Sequence, residues 1–111
     1  MAKTGFVSGV CEDDCPVART ARIIEGKWTT LIIRELLSGT KRYSELQRGL
    51  RGISPKVLAQ RLSFLESEGI VTKTIYPVVP PKTEYALTER GRGLERVIAA
   101  MAGFGAGLTQ T

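Results

Sequence analysis

The stretch from Lys41 to Leu87 decides the fold of this chain, and its sequence is KRYSELQRGLRGISPKVLAQRLSFLESEGIVTKTIYPVVPPKTEYAL. Its apolar spacing predicts a short helix over 43–50, a tight turn, and a longer helix over 54–68. Two strand-like runs follow at 71–76 and 83–87, joined by a proline-rich connection. A helix, a turn, a longer helix and a hairpin in this order predict a winged helix-turn-helix, an α+β fold that is mostly α.

The longer helix has clear start and stop signals. Ser54 is a good N-cap, Pro55 occupies the first helical position, where its missing N–H costs nothing, and Gly69 ends the helix. Three leucines at helical spacing form one stripe that faces a core, namely Leu58, Leu62 and Leu65.

The opposite face of that helix carries hydrogen-bonding side chains of small to medium size and little fixed charge. Such side chains suit base edges in a DNA major groove, where Gln and Lys recognise purines. The residues predicted to read bases are Ser54, Pro55, Lys56, Ala59, Gln60 and Ser63. An ordinary solvated helix face is the alternative interpretation of this pattern.

Basic residues are concentrated on the helix-turn-helix segment. The net charge is +5, and six Lys or Arg residues lie between positions 41 and 61, against Glu45 alone. Neutralising DNA phosphates requires such a concentration, whereas a generic basic surface would scatter the charges. The predicted phosphate contacts are Arg42, Ser44, Arg48, Arg51, Arg61 and, on the wing, Lys82. Arg61 lies nearer the core stripe, so the alternative to a phosphate contact is that it bonds a partner within the same chain. Plain solvent exposure is the alternative for Lys82.

Length and residue content exclude several classes of function. A chain of 111 residues predicts one domain over 11–111, with the helix-turn-helix at about 43–68, the wing at about 71–87, and a flexible arm over 1–10. The chain has no histidine and only two cysteines, so we expect no catalytic residue, no metal site and no cofactor.

The sequence lacks an apolar run of bilayer length and a signal peptide. We therefore expect a cytoplasmic protein with no membrane partner and with reduced cysteines.

Two helices outside this segment are predicted to form a dimer. One covers about 15–24, and the other covers about 88–108 with Thr88 as its N-cap. The last helix is apolar and rich in small residues, so it would remain exposed unless it packed on a partner chain. The predicted interface residues are Val17, Ala21, Leu94, Val97, Ile98, Met101 and Phe104. Packing within one chain is the alternative.

A series of short motifs runs in order through the chain from Cys15 to Met101. Its members include Cys15-Pro16-Val17, Gly26-Lys27-Trp28, Arg42-Tyr43-Ser44-Glu45-Leu46, Gly52-Ile53-Ser54, Gln60-Arg61-Leu62, Gly69-Ile70-Val71, Val79-Pro80-Pro81 and Leu87-Thr88-Glu89-Arg90-Gly91. This ordered series resembles the HxlR-type transcriptional regulators. Glu25 and Val78 depart from residues that are frequent in that family, and they concern only local details of a turn and of the wing.

The resemblance implies a winged-helix DNA-binding homodimer, related to the MarR group, from a bacterial- or archaeal-type cell. In such proteins the terminal helices form the dimer. Each recognition helix enters a major groove of double-stranded operator DNA, and each wing lies near the flanking minor groove. The resemblance leaves open whether the protein represses or activates, and whether a small-molecule effector binds.

Cys15 matches the first-helix cysteine of the family, which in several relatives acts as a thiol switch for oxidants or electrophiles. A helix N-terminus and Arg19 favour its thiolate, whereas the acidic run Glu12-Asp13-Asp14 opposes it. Cys11 supplies a second thiol. Two interpretations remain open, namely a redox sensor at Cys15 and Cys11, or a small packing residue at Cys15.

The leading prediction is a sequence-specific DNA-binding transcriptional regulator that acts as a homodimer, and a response to oxidants or electrophiles through Cys15 is one of the two interpretations left open. The alternative is a winged-helix protein–protein interaction module that does not bind DNA, which would carry a mixed-charge or apolar face over 54–68. An enzyme has little support, because Cys15 would have to act without a nearby base.

Overall fold

The computed structural model describes residues 15–108, so the predicted arm over 1–10 and Cys11 lie outside the described residues. Its elements in chain order are α1 Pro16–Ile24, α2 Lys27–Leu37, β1 Lys41–Arg42, α3 Tyr43–Gly49, α4 Pro55–Ser67, β2 Val71–Tyr76, β3 Lys82–Leu87, α5 Glu89–Arg92 and α6 Glu95–Leu108. The helix-turn-helix is formed by α3 and α4, and the wing by β2 and β3. The predicted winged fold, α+β and mostly α, is therefore confirmed.

The elements differ from the prediction in two places. The strand β1 is absent from the prediction, because two residues carry no recognisable periodicity. The single helix predicted over 88–108 is divided into α5 and α6 by a tighter turn. In this turn the Gly93 N–H donates to the Arg90 carbonyl at 3.0 Å, and the Leu94 N–H donates to the Gly91 carbonyl at 3.0 Å.

The core lies between α2, α3, α4 and the inner face of the hairpin. Its buried apolar side chains are Ile32, Ile33, Leu36, Leu46, Leu50, Ile53, Leu58, Leu62, Leu65, Ile70, Val71, Tyr85, Leu87 and Leu94. The three leucines predicted to face the core on α4 are all among them. Full burial of one such aliphatic side chain stabilises the fold by about 1.5–3 kcal/mol. Trp28 of α2 packs, partly buried, against this cluster.

A three-stranded antiparallel sheet joins the wing to the helix-turn-helix. Its strand order is β1-β3-β2, so β3 lies in the centre. Val71 pairs with Leu87 at the core end of the hairpin. On the other side of β3, Arg42 pairs with Glu84, so the strand that leads into α3 is bonded to the wing. The wing therefore has a defined position relative to the helix-turn-helix.

The junction between the wing and α5 is built around Thr88. The Thr88 hydroxyl accepts a hydrogen bond from the Gly91 N–H at 2.9 Å and donates one to the Gly69 carbonyl at 2.6 Å. The backbone N–H of Thr88 donates to the Ile70 carbonyl at 2.9 Å. Thr88 thus caps α5, as predicted, and also ties α5 to the segment between α4 and β2.

The first and last helices lie outside the core. Neither α1 nor α6 has a buried residue within the described part of the chain. Large apolar side chains on them are open to solvent, with Val17 66% exposed, Phe104 74% exposed and Leu108 65% exposed. The Cα radius of gyration is 16.2 Å, whereas a compact domain of this length has about 13 Å.

Three residues predicted at the dimer interface also contribute to the packing of one chain. Leu94 is only 9% exposed and is part of the core, so its assignment to the interface is revised. Val97 and Ile98 are partly buried against the core. Between residues 15 and 108, no helix combines the length and apolar character that crossing a bilayer requires.

Candidate nucleic-acid interface

The outer face of α4 contains all the side chains predicted to read bases. The Ser54 hydroxyl accepts a hydrogen bond from the Val57 N–H at 3.1 Å, so the helix starts where the sequence predicts. Leu58, Leu62 and Leu65 are buried on the inner face. All six of the residues predicted to read bases are exposed, namely Ser54, Pro55, Lys56, Ala59, Gln60 and Ser63, and α4 also exposes Glu66 and Ser67 in its last turn. Burial of the leucine stripe therefore turns this polar face towards solvent.

Two hydrogen bonds set the position of α4 relative to α3. The Tyr43 hydroxyl donates to the Pro55 carbonyl at 3.0 Å, and the Gln47 side-chain amide donates to the Ile53 carbonyl at 3.1 Å. Between the helices, Gly52 has a φ of +90°, which a residue with a side chain rarely adopts. The roles of Tyr43 and Gln47 are missed by the sequence analysis, because no local pattern indicates contacts across the turn.

One groove lies between the start of α3 and the tip of the wing. It is lined by three of the predicted phosphate-binding residues, Arg42, Ser44 and Lys82. The groove has a volume of about 670 Å³, and its far wall is formed by residues 78–81. Two cations and a hydroxyl on one concave surface suit a phosphate of a nucleic-acid backbone. Lys82, for which the sequence allows two interpretations, thus lies beside two other residues predicted to contact phosphate.

Glu45 fixes the backbone at the edge of this groove. Its carboxylate accepts a hydrogen bond from the Arg42 N–H at 2.8 Å. This bond is the main cause that lowers the pKa of Glu45 from its ordinary value of 4.5, burial opposes it, and the charges of Lys41, Arg42 and Arg48 lower it further. Glu45 therefore stays ionised at neutral pH and holds Arg42 at the start of α3.

The remaining predicted phosphate residues do not all lie together. Arg48, near the end of α3, and Arg51, in the turn, are exposed to solvent. Arg61 is partly buried and lines a different cavity, between α4, α1 and α5, which it shares with Arg90. The interpretation of Arg61 as an intramolecular residue therefore fits its position better than a phosphate contact does.

Cys15 is the N-cap of α1, and it is joined in a disulfide. The expectation of a reduced thiol is therefore not met at Cys15. That expectation rests on the redox state of a cell compartment, whereas pairing in a structure depends on the distance between two sulfurs. Cys11, the other cysteine in the sequence, lies outside the described residues. Over residues 15–108, no three His, Cys, Asp or Glu side chains lie close enough together to hold a metal ion.

A recognition-type helix on a winged helix-turn-helix defines a protein of the transcriptional-regulator class. The family described as HxlR-like helix-turn-helix matches residues 23–111. The chain belongs to this family, so the resemblance noted in its motifs is confirmed.

Individual relatives agree with the family match. The chain is 41% identical, over 87 residues, to an uncharacterized HTH-type transcriptional regulator of Synechocystis, sll1512, and the match covers 78% of this chain and 64% of the relative. It is 40% identical to E. coli YtfH, another uncharacterized HTH-type transcriptional regulator, over 81% of this chain and 71% of the relative. The chain thus spans about two thirds of the length of these curated relatives.

Solved structures of related regulators share the fold over most of their length. A protein from Porphyromonas gingivalis assigned to the MarR family of transcriptional regulators is 40% identical, with a TM-score of 0.83 over 90% of this chain and 96% of that one. The redox regulator HypR in its oxidized form is 40% identical, with a TM-score of 0.79 over 84% of this chain and 96% of that one.

Proposed function

We propose that this protein is a sequence-specific DNA-binding transcriptional regulator that acts as a homodimer. The observation that carries the proposal is the exposed polar face of α4 together with the groove lined by Arg42 and Lys82, whose Tyr43 bonds the first residue of α4. Base-reading groups and phosphate-binding groups on adjacent surfaces are what sequence recognition in duplex DNA requires.

The side chains on α4 would divide the reading of bases among them. Gln60 can bond the N6 and N7 positions of adenine, and Lys56 can donate to the O6 and N7 positions of guanine. Ser54 and Ser63 can donate or accept, and the apolar groups of Pro55 and Ala59 suit thymine methyl groups. The phosphate set, from which Arg61 is removed, would be Arg42, Ser44, Arg48, Arg51 and Lys82.

The helices outside the core would pair two copies of the chain. Met101 and Phe104 on α6, together with Val17 and Ala21 on α1, are exposed in the single chain. A symmetric pair would present two copies of α4 to half-sites about one helical turn of DNA apart, roughly 34 Å. The apolar faces that one chain leaves in water would then be buried.

We also propose that Cys15 makes the regulator responsive to oxidants. Cys15 forms a disulfide at the start of α1, and HypR, a redox regulator, shares the fold at 40% identity. Formation of such a bond removes two electrons and two protons from two thiols, and hydrogen peroxide that accepts them becomes two waters. Because α1 and α4 line one cavity, which contains Arg61, a change at the start of α1 can reach the recognition helix.

The test is a fluorescence anisotropy titration of the protein on duplex DNA from its own upstream region and on random DNA, across a range of salt. We expect Gln60→Ala to lower the preference for the specific duplex by about 5- to 150-fold, since a good base contact discriminates by about 1–3 kcal/mol. We expect Arg51→Ala to weaken binding to both duplexes alike and to reduce the salt slope by about one. The exposed Arg92 on α5 supplies a matched control, and Arg92→Ala should change neither quantity.

Two results of this titration would contradict the proposal. Equal losses on both duplexes for Gln60→Ala and Arg51→Ala would remove the division between base and phosphate contacts. Binding of the wild type to neither duplex would favour the alternative, a protein–protein module.

The test of the redox response repeats the titration with reductant and after treatment with hydrogen peroxide. A change in affinity that is lost in Cys15→Ser supports the switch, and identical affinities of wild type and Cys15→Ser in both states exclude it.

A further inference from the structure

A second concave site lies away from the face proposed to bind DNA. It has a volume of about 590 Å³ and lies between α1, α4 and α5. Its charged lining consists of four arginines and two glutamates, which are Arg19, Arg22, Arg61, Arg90, Glu25 and Glu68. Counted over the residues that the structure describes, four positive and two negative groups give the lining a net charge of +2, and Arg19 and Arg22 also have interaction partners of their own.

Arg61 is the residue in this cavity whose charge is least satisfied. Its side chain is partly buried, and it makes no hydrogen bond or ion pair with any residue that the structure describes. Towards the described residues, Arg90 donates one long hydrogen bond, of 3.4 Å, to the Glu68 carbonyl. A guanidinium that is partly withdrawn from water loses hydration, so it gains from an anionic partner. Arg90 is exposed and faces the same space, so one partly buried and one exposed guanidinium line the cavity.

The same cavity also has an apolar wall. Ile23 from α1 and Phe64 from α4 line it, and both also pack, partly buried, against the core. Guanidinium groups bind planar oxyanions through two parallel hydrogen bonds, while an aromatic ring offers a flat surface to a ligand body. Glu25 and Glu68 limit the excess of positive charge, which disfavours polyanions such as nucleic acid.

We propose that this cavity binds a small organic anion. Its acidic head, a carboxylate or a phosphate, would bond Arg61 and Arg90, and its apolar body would lie against Ile23 and Phe64. The volume suits a ligand with one ring or a short branched chain. This binding does not depend on the proposed function.

The regulatory consequence of the ligand does rest on the proposed function. Arg61 and Phe64 belong to the same helix as Gln60, which is proposed to read a base. An anion that binds the DNA-free and DNA-bound forms with unequal affinity must change the affinity for DNA by the same factor. The cavity would thus be an effector site, placed on the reverse side of the recognition helix.

The experiment uses the full chain and three probes, which are benzoate, phenyl phosphate and the neutral benzamide. Thermal unfolding and titration calorimetry are measured with each probe at up to about 10 mM, because a ligand that binds the folded state raises the unfolding temperature. We expect at least one anion to bind and to raise the unfolding midpoint, and benzamide to do neither. The anion that binds more tightly identifies the head group.

Variants place that binding in the cavity. Arg61→Gln should weaken the anion about tenfold or more, because a hydrogen bond to a charged group is worth about 1.5–3 kcal/mol. Glu68→Gln removes a negative charge and should strengthen binding, which guards against a loss that arises only from misfolding. Arg92→Gln, outside the cavity, should bind as the wild type does.

Three outcomes would overturn the anion site. They are binding of neither anion, equal binding of benzamide, and binding that persists in Arg61→Gln. The effect on regulation is measured separately by repeating the DNA titration with the bound anion. An unchanged DNA affinity would remove the effector role and leave the anion site intact. Absence of DNA binding by the free protein would contradict the proposed function alone.

Discussion

Thr29 is a polar residue placed entirely within the apolar core. It lies in the first turn of α2 and is 0% exposed, and its hydroxyl oxygen has no hydrogen-bond partner among residues 15–108. A buried hydroxyl without a partner costs about 1–3 kcal/mol of stability, because the hydration it loses is not replaced. The hydroxyl of Thr29 therefore lowers the free energy of unfolding relative to an apolar side chain of the same shape.

Replacing that hydroxyl with a methyl group should stabilise the protein. Thr29→Val keeps the branched shape, and we expect the free energy of unfolding to rise by about 1 kcal/mol. The measurement is urea denaturation followed by circular dichroism. Thr29→Ser, the matched control, keeps the hydroxyl, loses the methyl and should be less stable than the wild type. A clear loss of stability in Thr29→Val would indicate that the hydroxyl has a bonding partner, such as an internal water.

Single residues also mark where the sequence is informative and where it is not. The exposure of Gln60 is predictable from the sequence. The spacing of the leucines on α4 requires that side of the helix to face the core, and Gln60 lies on the opposite side. Arg61 lies at the border between the two faces of α4, so its surroundings depend on where α1 packs. The position of α1 is determined by tertiary packing, which helical periodicity does not predict.

The short helix α5 depends on a close approach between two backbones. A Cβ atom added at Gly91 would collide with the Ile70 carbonyl oxygen, and it would also crowd the Leu87 side chain at 3.1 Å. Ile70 and Leu87 belong to the base of the wing, which Thr88 connects to α5. Glycine at position 91 is therefore what allows α5 to pack on the sheet.

Adding one methyl group at this position should destabilise the whole domain. We expect Gly91→Ala to lower the free energy of unfolding by about 1–3 kcal/mol, because a backbone shift is needed to relieve the contact. Thermal and urea denaturation both measure it. Arg92→Ala alters the next residue of the same helix, whose side chain is exposed, and should cost little. Equal stabilities of Gly91→Ala and the wild type would show that α5 does not pack closely on the wing.

At the level of elements, local patterns predict the helix-turn-helix and the hairpin well. The strand boundaries at Val71 and Leu87 follow from alternation, and the start of α4 follows from Ser54 and Pro55. The break between α5 and α6 is not predictable in this way, since Gly93 alone is a weak signal within a helical pattern. The groove that joins Arg42 to Lys82 is likewise invisible to local patterns, because it depends on the pairing of β1 with β3.

For the whole molecule, the exposed apolar side of α6 is the main feature that one chain leaves unexplained. Met101 is 45% exposed and Phe104 is 74% exposed, and both lie on a surface shared with Val97. Apolar side chains clustered on one surface in this way are typical of a protein–protein interface. The proposed homodimer accounts for them.

A charge introduced on that surface should separate the subunits. We expect Phe104→Glu to raise the dimer dissociation constant about a hundredfold or more, because each copy loses the burial of an aromatic ring worth about 1.5–3 kcal/mol. Sedimentation equilibrium measures the change. Ile75→Glu makes a matched change on an exposed apolar residue of the wing and should leave the association unaffected. A wild-type protein that stays monomeric at high concentration would refute the dimer.

Within the described chain, α6 has no fully buried side chain, so its apolar face is available to a second subunit. For the proposed dimer, the amount of protein in the cell then determines what fraction of the subunits is paired. Within one chain, α6 packs on the core through the partly buried Val97 and Ile98, whereas Met101, Phe104 and Leu108 stay exposed. We therefore expect single subunits to fold and then to associate. By mass action, the concentration of pairs rises with the square of the concentration of free subunits while subunits predominate. A modest change in the rate of synthesis would then produce a steeper change in promoter occupancy, and the copy number at which this occurs would be set by the apolar side chains of α6.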